Sequence, residues 1–265
     1  MNNTVKTDVL IIGAGPSGLA TAIHLADLLK TNGIEKQIIV VDKGQSVGSH
    51  ILSGAVIKPQ AFRDLLPDVN FDEIPFDSKV ASDEMYFLQN EKSSLKVPFH
   101  PPYMGNSGNY CALFCEICQY LAAKATEKGV DIYPGFSMSD ILYDEKGDVS
   151  GAKCIDTGID HDGNKLENFV EGTRVEASIT IFAEGTRGSL AKKLIEKKNL
   201  QQGRNPQIYS LGVKELFSVP EGTIKAGEVY HTMGFPAMND NVFGGGFIYG
   251  LKGGDVLPGR LVARH

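Results

Sequence analysis

Asp8-Val9-Leu10-Ile11-Ile12-Gly13-Ala14-Gly15-Pro16-Ser17-Gly18 decides the fold of this chain. An apolar run with the character of a buried parallel strand meets a G-x-G-x-x-G loop, and the loop opens a helix. Gly13 permits the tight turn. Gly15 lets backbone approach a pyrophosphate. Gly18 lets the helix pack on the strand. Pro16 suits the first helical turn, where a missing N–H costs nothing. Ala14 and Ser17 complete the loop. The free N–H groups and positive end of the helix face an anion. The order strand, glycine loop, helix predicts a βαβ unit that holds an adenine dinucleotide.

The next segments extend that unit. Leu19, Ile23, Ala26 and Lys30 fall on one helical face. Gln37-Ile38-Ile39-Val40-Val41 reads as a second strand ending in Asp42, placed to accept from ribose hydroxyls. Spacing alone does not separate FAD from NAD; the motif's place at the start of the sequence leans towards FAD. Lys43 to Gly54 is a glycine-punctuated loop. After Pro59 a short helix carries Ala61, Phe62, Leu65 and Leu66, with core favoured over a membrane surface for its apolar side. Residues 71–108 show no clear periodicity and read as an excursion. Tyr110 to Lys128 reads as one helix, with Cys111, Cys115 and Cys118 on a shared face. Ile179 to Gly185 reads as a strand ending at a small-acidic-glycine corner, Ala183-Glu184-Gly185. Strand-like segments at 208–214, 228–233 and 247–251 begin an antiparallel second domain.

Composition narrows the function. The chain has 265 residues, 42% hydrophobic and 22% charged, as soluble globular proteins do. A formal net charge of −6 argues against nucleic acid as a partner. No run has the length of a membrane span. Few residues precede the first strand, so neither a signal nor a transit peptide is expected, and a cytoplasmic, bacterial setting follows. The four cysteines indicate a reducing compartment. The spacing of Cys111, Cys115 and Cys118 on an amphipathic face, and the place of Cys154 on a strand, predict core packing rather than metal ligation.

The strings GAGPSGLATA, VGSHILSGAVIKPQAF, GNYCALFCEICQYLAAKATEKGVDIYPGF, TIFAEGTRGSLAKKL, PQIYSLGVKEL, HTMGFP and FGGGFIY together resemble the electron-transfer flavoprotein–ubiquinone oxidoreductase family. The resemblance implies an α/β, glutathione-reductase-like FAD-binding Rossmann fold, with the beginning of an antiparallel-rich α+β quinone-binding domain. It implies electrons accepted from electron-transfer flavoprotein and passed to ubiquinone. It also implies peripheral contact with the cytoplasmic side of a bacterial inner membrane, with residues 47–68 at the surface. FAD contacts fall by resemblance on Gly13, Ala14, Gly15, Pro16, Ser17, Gly18, Asp42, Lys43, His50, Ser53, Gly54, Glu184, Gly185 and Tyr209. Ubiquinone falls on Gly244, Gly245 and Phe247. No catalytic side chain and no metal ligand is assigned, since the cofactor carries the chemistry. The family's [4Fe–4S] cluster has no ligands in this chain, its four cysteines lying where the family has core.

The expected division is 1–70 and 109–203 for the FAD-binding domain, 71–108 for the excursion, and 204–265 for a partial ubiquinone-binding domain. The tail from Gly253 departs from the family's pattern, and Pro258 is expected to interrupt a strand. Both features suggest a truncated or frameshifted chain, the N-terminal half of the family's length. Two other readings stay open. One is a geranylgeranyl-reductase-like or nitrogen-fixation-type flavoprotein; the other is a non-catalytic FAD- or ADP-binding fragment.

Overall fold

The computed structural model describes residues 3–52, 54–99, 105–220, 222–240 and 242–263. The chain runs β1 (Thr4–Ile12), α1 (Pro16–Thr31), β2 (Ile38–Asp42), β3 (Ala55–Ile57), α2 (Gln60–Leu65), β4 (Ser78–Lys79), β5 (Ser82–Leu88) and β6 (Ser94–Lys96). It continues through β7 (Tyr110–Ala112), α3 (Phe114–Glu127), β8 (Asp131–Pro134), β9 (Met138–Tyr143), β10 (Val149–Cys154), β11 (Thr157–Ile159), β12 (Lys165–Val170) and β13 (Arg174–Phe182). It closes with α4 (Ser189–Lys197), β14 (Ser210–Lys214), β15 (Phe217–Ser218), β16 (Glu228–Gly234), β17 (Phe243–Gly250) and β18 (Asp255–Ala263). Two compact units result: residues 1–51 with 118–204, and residues 52–117 with 205–265.

The first unit is built on a six-stranded sheet of order β8-β2-β1-β13-β10-β9. β8, β2, β1 and β13 run parallel, and β10 and β9 are antiparallel. The apolar runs explain the centre. Leu10, Ile11 and Val40 are fully buried, and each such side chain contributes about 1.5–3 kcal/mol over exposure. Leu10, Ile12, Ile39 and Val41 pack with Met138, Ala152, Cys154, Val175, Ala177 and Leu190 in one cluster. α1 buries Gly18, Leu19, Ala22, Ile23 and Ala26, the face that the sequence spacing marks. The parallel order puts the carboxyl ends of β1, β2 and β13 side by side.

The second unit holds a seven-stranded sheet of order β14-β18-β17-β16-β5-β6, with β15 also on β18, and a small sheet of order β3-β7-β4. Pairing is antiparallel except between β5 and β16. Its core joins Cys111, Val229, Phe247, Tyr249, Leu251 and Leu257. α2 turns Phe62 inward, with Leu66 just beyond it also buried, and Phe62 meets Phe76 edge-on at 5.2 Å.

The structure corrects three expectations. Tyr110 to Ala112 is a strand, with the helix starting at Phe114. β3 and β4 both pair with it, and that tertiary pairing outweighs local helical periodicity. Cys111 therefore lies on β7, off the helix of Cys115 and Cys118. Residues 71–108 group with the second unit, where β5 is an inner strand. Residues 52–70 and 109–117 also group with that unit rather than with the nucleotide unit. Finally, Pro258 does not interrupt β18, which pairs with β17 along its length. The Pro258 carbonyl accepts from Glu215 N–H at 3.1 Å. Its nitrogen faces the same side, where β14 has ended and β15 has not begun, so no ladder donor is lost.

Candidate functional site

In the first unit, Gly13, at the end of β1, has φ of +111°. A Cβ there would stand 2.4 Å from the Ala183 carbonyl oxygen, and one on Gly18 would stand 1.9 Å from the Gly13 oxygen. Those two glycines are demanded by the protein itself. Gly15 is not. Its φ of −80° suits any residue, and a Cβ would touch only Ile51 Cδ1 at an ordinary 3.7 Å. The bare backbone at Gly15 is open space at the mouth of α1.

That helix starts with proline in its first turn, no side-chain cap and no acidic residue in that turn. The N–H groups of Ser17 and Gly18 therefore have no acceptor within the helix. Uncapped donors, a helix dipole and a Cβ-free approach form a cradle that fits a dinucleotide diphosphate.

Asp42 braces this cradle. Its Oδ2 accepts from Ala14 N–H at 2.8 Å and its Oδ1 from Gly44 N–H at 2.7 Å. A carboxylate offers roughly four acceptor positions, so capacity for ribose hydroxyls remains. The Asp42 carbonyl takes Phe136 N–H at 2.8 Å, and Gly44 carbonyl takes Gly135 N–H at 2.6 Å. This link between the ends of β2 and β8 has no motif in the sequence.

Glu184 follows β13. Its carboxylate accepts from Leu190 N–H at 3.1 Å and Ala191 N–H at 2.7 Å, capping α4. A Cβ on Gly188 would stand 2.6 Å from Glu184 Cβ, so that glycine makes room for the cap. The acidic member of the corner is thus engaged with the helix, and Gly185 beside it, at φ +80°, has open space around it. Lys43 and His50 are exposed on the loop after β2, and Ser53 lies outside the described residues.

The remaining expected contacts belong to the second unit. Gly54 has φ of +88°, and a Cβ there would collide with Leu257 Cδ2 at 2.0 Å. Its carbonyl accepts from Lys214 Nζ. Burial pushes the Lys214 ammonium below its usual pKa. Tyr209 is half-exposed just before β14. Gly244 and Gly245 lie inside β17, opposite Val262 and Leu261 of β18, and Gly245 also faces Met233 of β16. Gly245 is packing-constrained: a Cβ would stand 2.2 Å from the Thr232 carbonyl oxygen. Phe247 is buried, stacked on Tyr249 at 4.7 Å, with Lys214 Nζ 5.2 Å from its ring centre.

The cysteines build no ligand set. Cys111, Cys118 and Cys154 are buried, and Cys111 and Cys154 sit in separate units. Burial pushes the Cys111 thiol up to about 11. Among the described residues no three His, Cys, Asp or Glu side chains stand together as a metal site, and no helix is long and apolar enough to cross a membrane.

Residues 11–72 match a family described as an NAD(P)-binding Rossmann-like domain. Residues 209–263 match one described as ETF-QO, ubiquinone-binding. Electron transfer flavoprotein-ubiquinone oxidoreductase of Dictyostelium discoideum is 43% identical over 255 residues, 96% of this chain and 42% of the relative. The Pseudomonas aeruginosa protein of that name is 41% identical over 261 residues, 97% of this chain and 47% of its own length. The chain is similar to part of the electron transfer flavoprotein-ubiquinone oxidoreductase family's length. It spans less than half of these two relatives. The ubiquinone-binding match runs to Ala263, so the tail from Gly253 keeps the family's pattern, contrary to expectation.

Solved structures show the same fold. A geranylgeranyl bacteriochlorophyll reductase-like protein of Thermoplasma acidophilum superposes with TM-score 0.64 at 19% identity, over 97% of this chain and 57% of that one. A flavoprotein/dehydrogenase of Cytophaga hutchinsonii gives 0.61 at 17%, over 98% and 56%. CtdE in complex with FAD gives 0.56 at 17%, over 97% and 59%.

Proposed function

We propose that this chain binds FAD at the glycine corner of its first unit and serves electron transfer from electron-transfer flavoprotein to ubiquinone. The observation that carries the FAD assignment is Gly15, a glycine that neither packing nor backbone requires, at an uncapped helix mouth. When bound, the flavin supplies the redox chemistry. The protein binds and orients it: Gly15, Ser17 and Gly18 towards the diphosphate, and Asp42 towards the adenosine ribose. Loop residues Lys43 and His50, with Gly185, complete the reading in this unit. Glu184 acts through α4 rather than on the ligand. The family names of the relatives support the donor and acceptor. Gly244, Gly245 and Phe247 are the proposed ubiquinone contacts. Peripheral contact with an inner membrane belongs to the same reading, and exposed Leu95 and Phe99 supply apolar surface for it.

The test is anaerobic. FAD-loaded protein is mixed with reduced electron-transfer flavoprotein, then with ubiquinone-1, and the flavin band is followed. Bleaching in the first step and recovery in the second is expected. FAD or ADP binding without either step would favour a nucleotide-binding role instead.

A further inference from the structure

The second unit carries an ionisable pair that the proposed contacts do not use. Asp83, on β5, and His231, on β16, meet with His231 Nδ1 3.5 Å from Asp83 Oδ1. The Asp83 side chain is 11% exposed and that of His231 30%. Asp83 Oδ2 is fixed separately, accepting from Asn106 N–H at 2.8 Å and Asn106 Nδ2 at 3.1 Å. A carboxylate held in place by one neighbour and turned on an imidazole by its other oxygen orients that ring and stabilises its charged form.

The register places this pair. His231 pairs with Phe247, and Met233 pairs with Gly245, on the same strand couple. Side chains two apart on a strand share a face, so His231 stands on the face of Gly245, Phe247 and Tyr249. Its ring meets that of Tyr249 edge-on at 5.9 Å. Beyond Phe247, Lys214 occupies the same face, since Lys214 and Phe247 both pair with Gly259. The groups around the imidazole are thus Asp83, Tyr249 and, across Phe247, Lys214, with Cys111 in the core beneath. Burial holds Tyr249 at about 12 and Cys111 at about 11, so both are neutral near pH 7.

Resting on the ubiquinone reading of Gly244 and Gly245, we propose that His231 is the proton donor to the quinone head group and that Asp83 is its positioning residue. Reduction of a quinone to a quinol takes two electrons and two protons. When bound, reduced FAD would supply the electrons. His231 Nε2–H breaks as one head-group O–H forms, the imidazole regains its proton from solvent through its exposed edge, and the second proton also comes from solvent. Asp83 raises the fraction of imidazolium by opposite-charge attraction.

NMR of the FAD-loaded protein titrated with ubiquinone-1 separates the inference from its premise. Shifts of both the Gly245 amide and the His231 ring resonances are expected. No shift at Gly245 overturns the ubiquinone reading; a shift at Gly245 with a still His231 overturns the proton-donor role alone. Kinetics supply the second arm. Quinone reduction should fall as pH rises through the His231 titration. His231→Ala should lower kcat at least tenfold with little change in KM, flatten that fall, and respond to added imidazole. Asp83→Asn should move the fall to lower pH. An unchanged pH profile in both variants, or a loss that imidazole never restores in a folded protein, would contradict the role.

Discussion

Gly15 and Gly18 carry the same side chain for opposite reasons. A Cβ on Gly18 would overlap the Gly13 carbonyl at 1.9 Å, whereas one on Gly15 meets ordinary contact. Gly18→Ala should destabilise the first unit by about 1–3 kcal/mol or prevent folding, as overpacking does. Gly15→Ala should leave the ligand-free melting temperature unchanged yet weaken FAD about tenfold, ~1.4 kcal/mol. Thermal melts with and without FAD check both. Both glycines were legible as a motif, but only the geometry separates the glycine the fold needs from the glycine a ligand needs. Asp42 was legible as an acidic strand end; its bonds to Ala14 and Gly44 were not, because they depend on a loop conformation with no sequence signature.

At the scale of elements, the parallel strands and α1 could be read because each is long and periodic. The second unit could not be read as well. In β17 three glycines, Gly244 to Gly246, resemble a turn, yet β16 and β18 flank them and hold them extended. In β5 the alternation is blurred because Glu84 and Tyr86 bond to each other at 2.6 Å on one face while Met85 is buried on the other. α4 depends on Glu184. Glu184→Ala should cost about 1–2 kcal/mol, the usual loss of an N-terminal cap, and Glu184→Gln less; urea melts measure it. Around β7 the sign of a pH effect follows from burial. Cys111 is raised from 9.0 to about 11 and Tyr249 from 10.0 to about 12. The unfolded chain therefore releases these protons first and binds fewer of them in that range. Their contribution is fully present below pH 9 and is lost as pH rises towards about 12. The urea midpoint should fall over that range, and Cys111→Ala should fall less steeply.

For the whole molecule, the two units divide the account. The first holds the glycine corner and the second the ubiquinone-binding match. FAD should protect the first unit's amides against hydrogen exchange, by about 2.7 kcal/mol at a hundredfold excess over Kd. The measurement that bears most directly on the central claim is a titration of FAD into ligand-free protein, followed by flavin fluorescence, with Gly15→Ala beside it. Saturation at one FAD per chain, with affinity reduced in the variant and its melting temperature unchanged, is the predicted result. No saturable FAD binding, or equal affinity in Gly15→Ala, would contradict it.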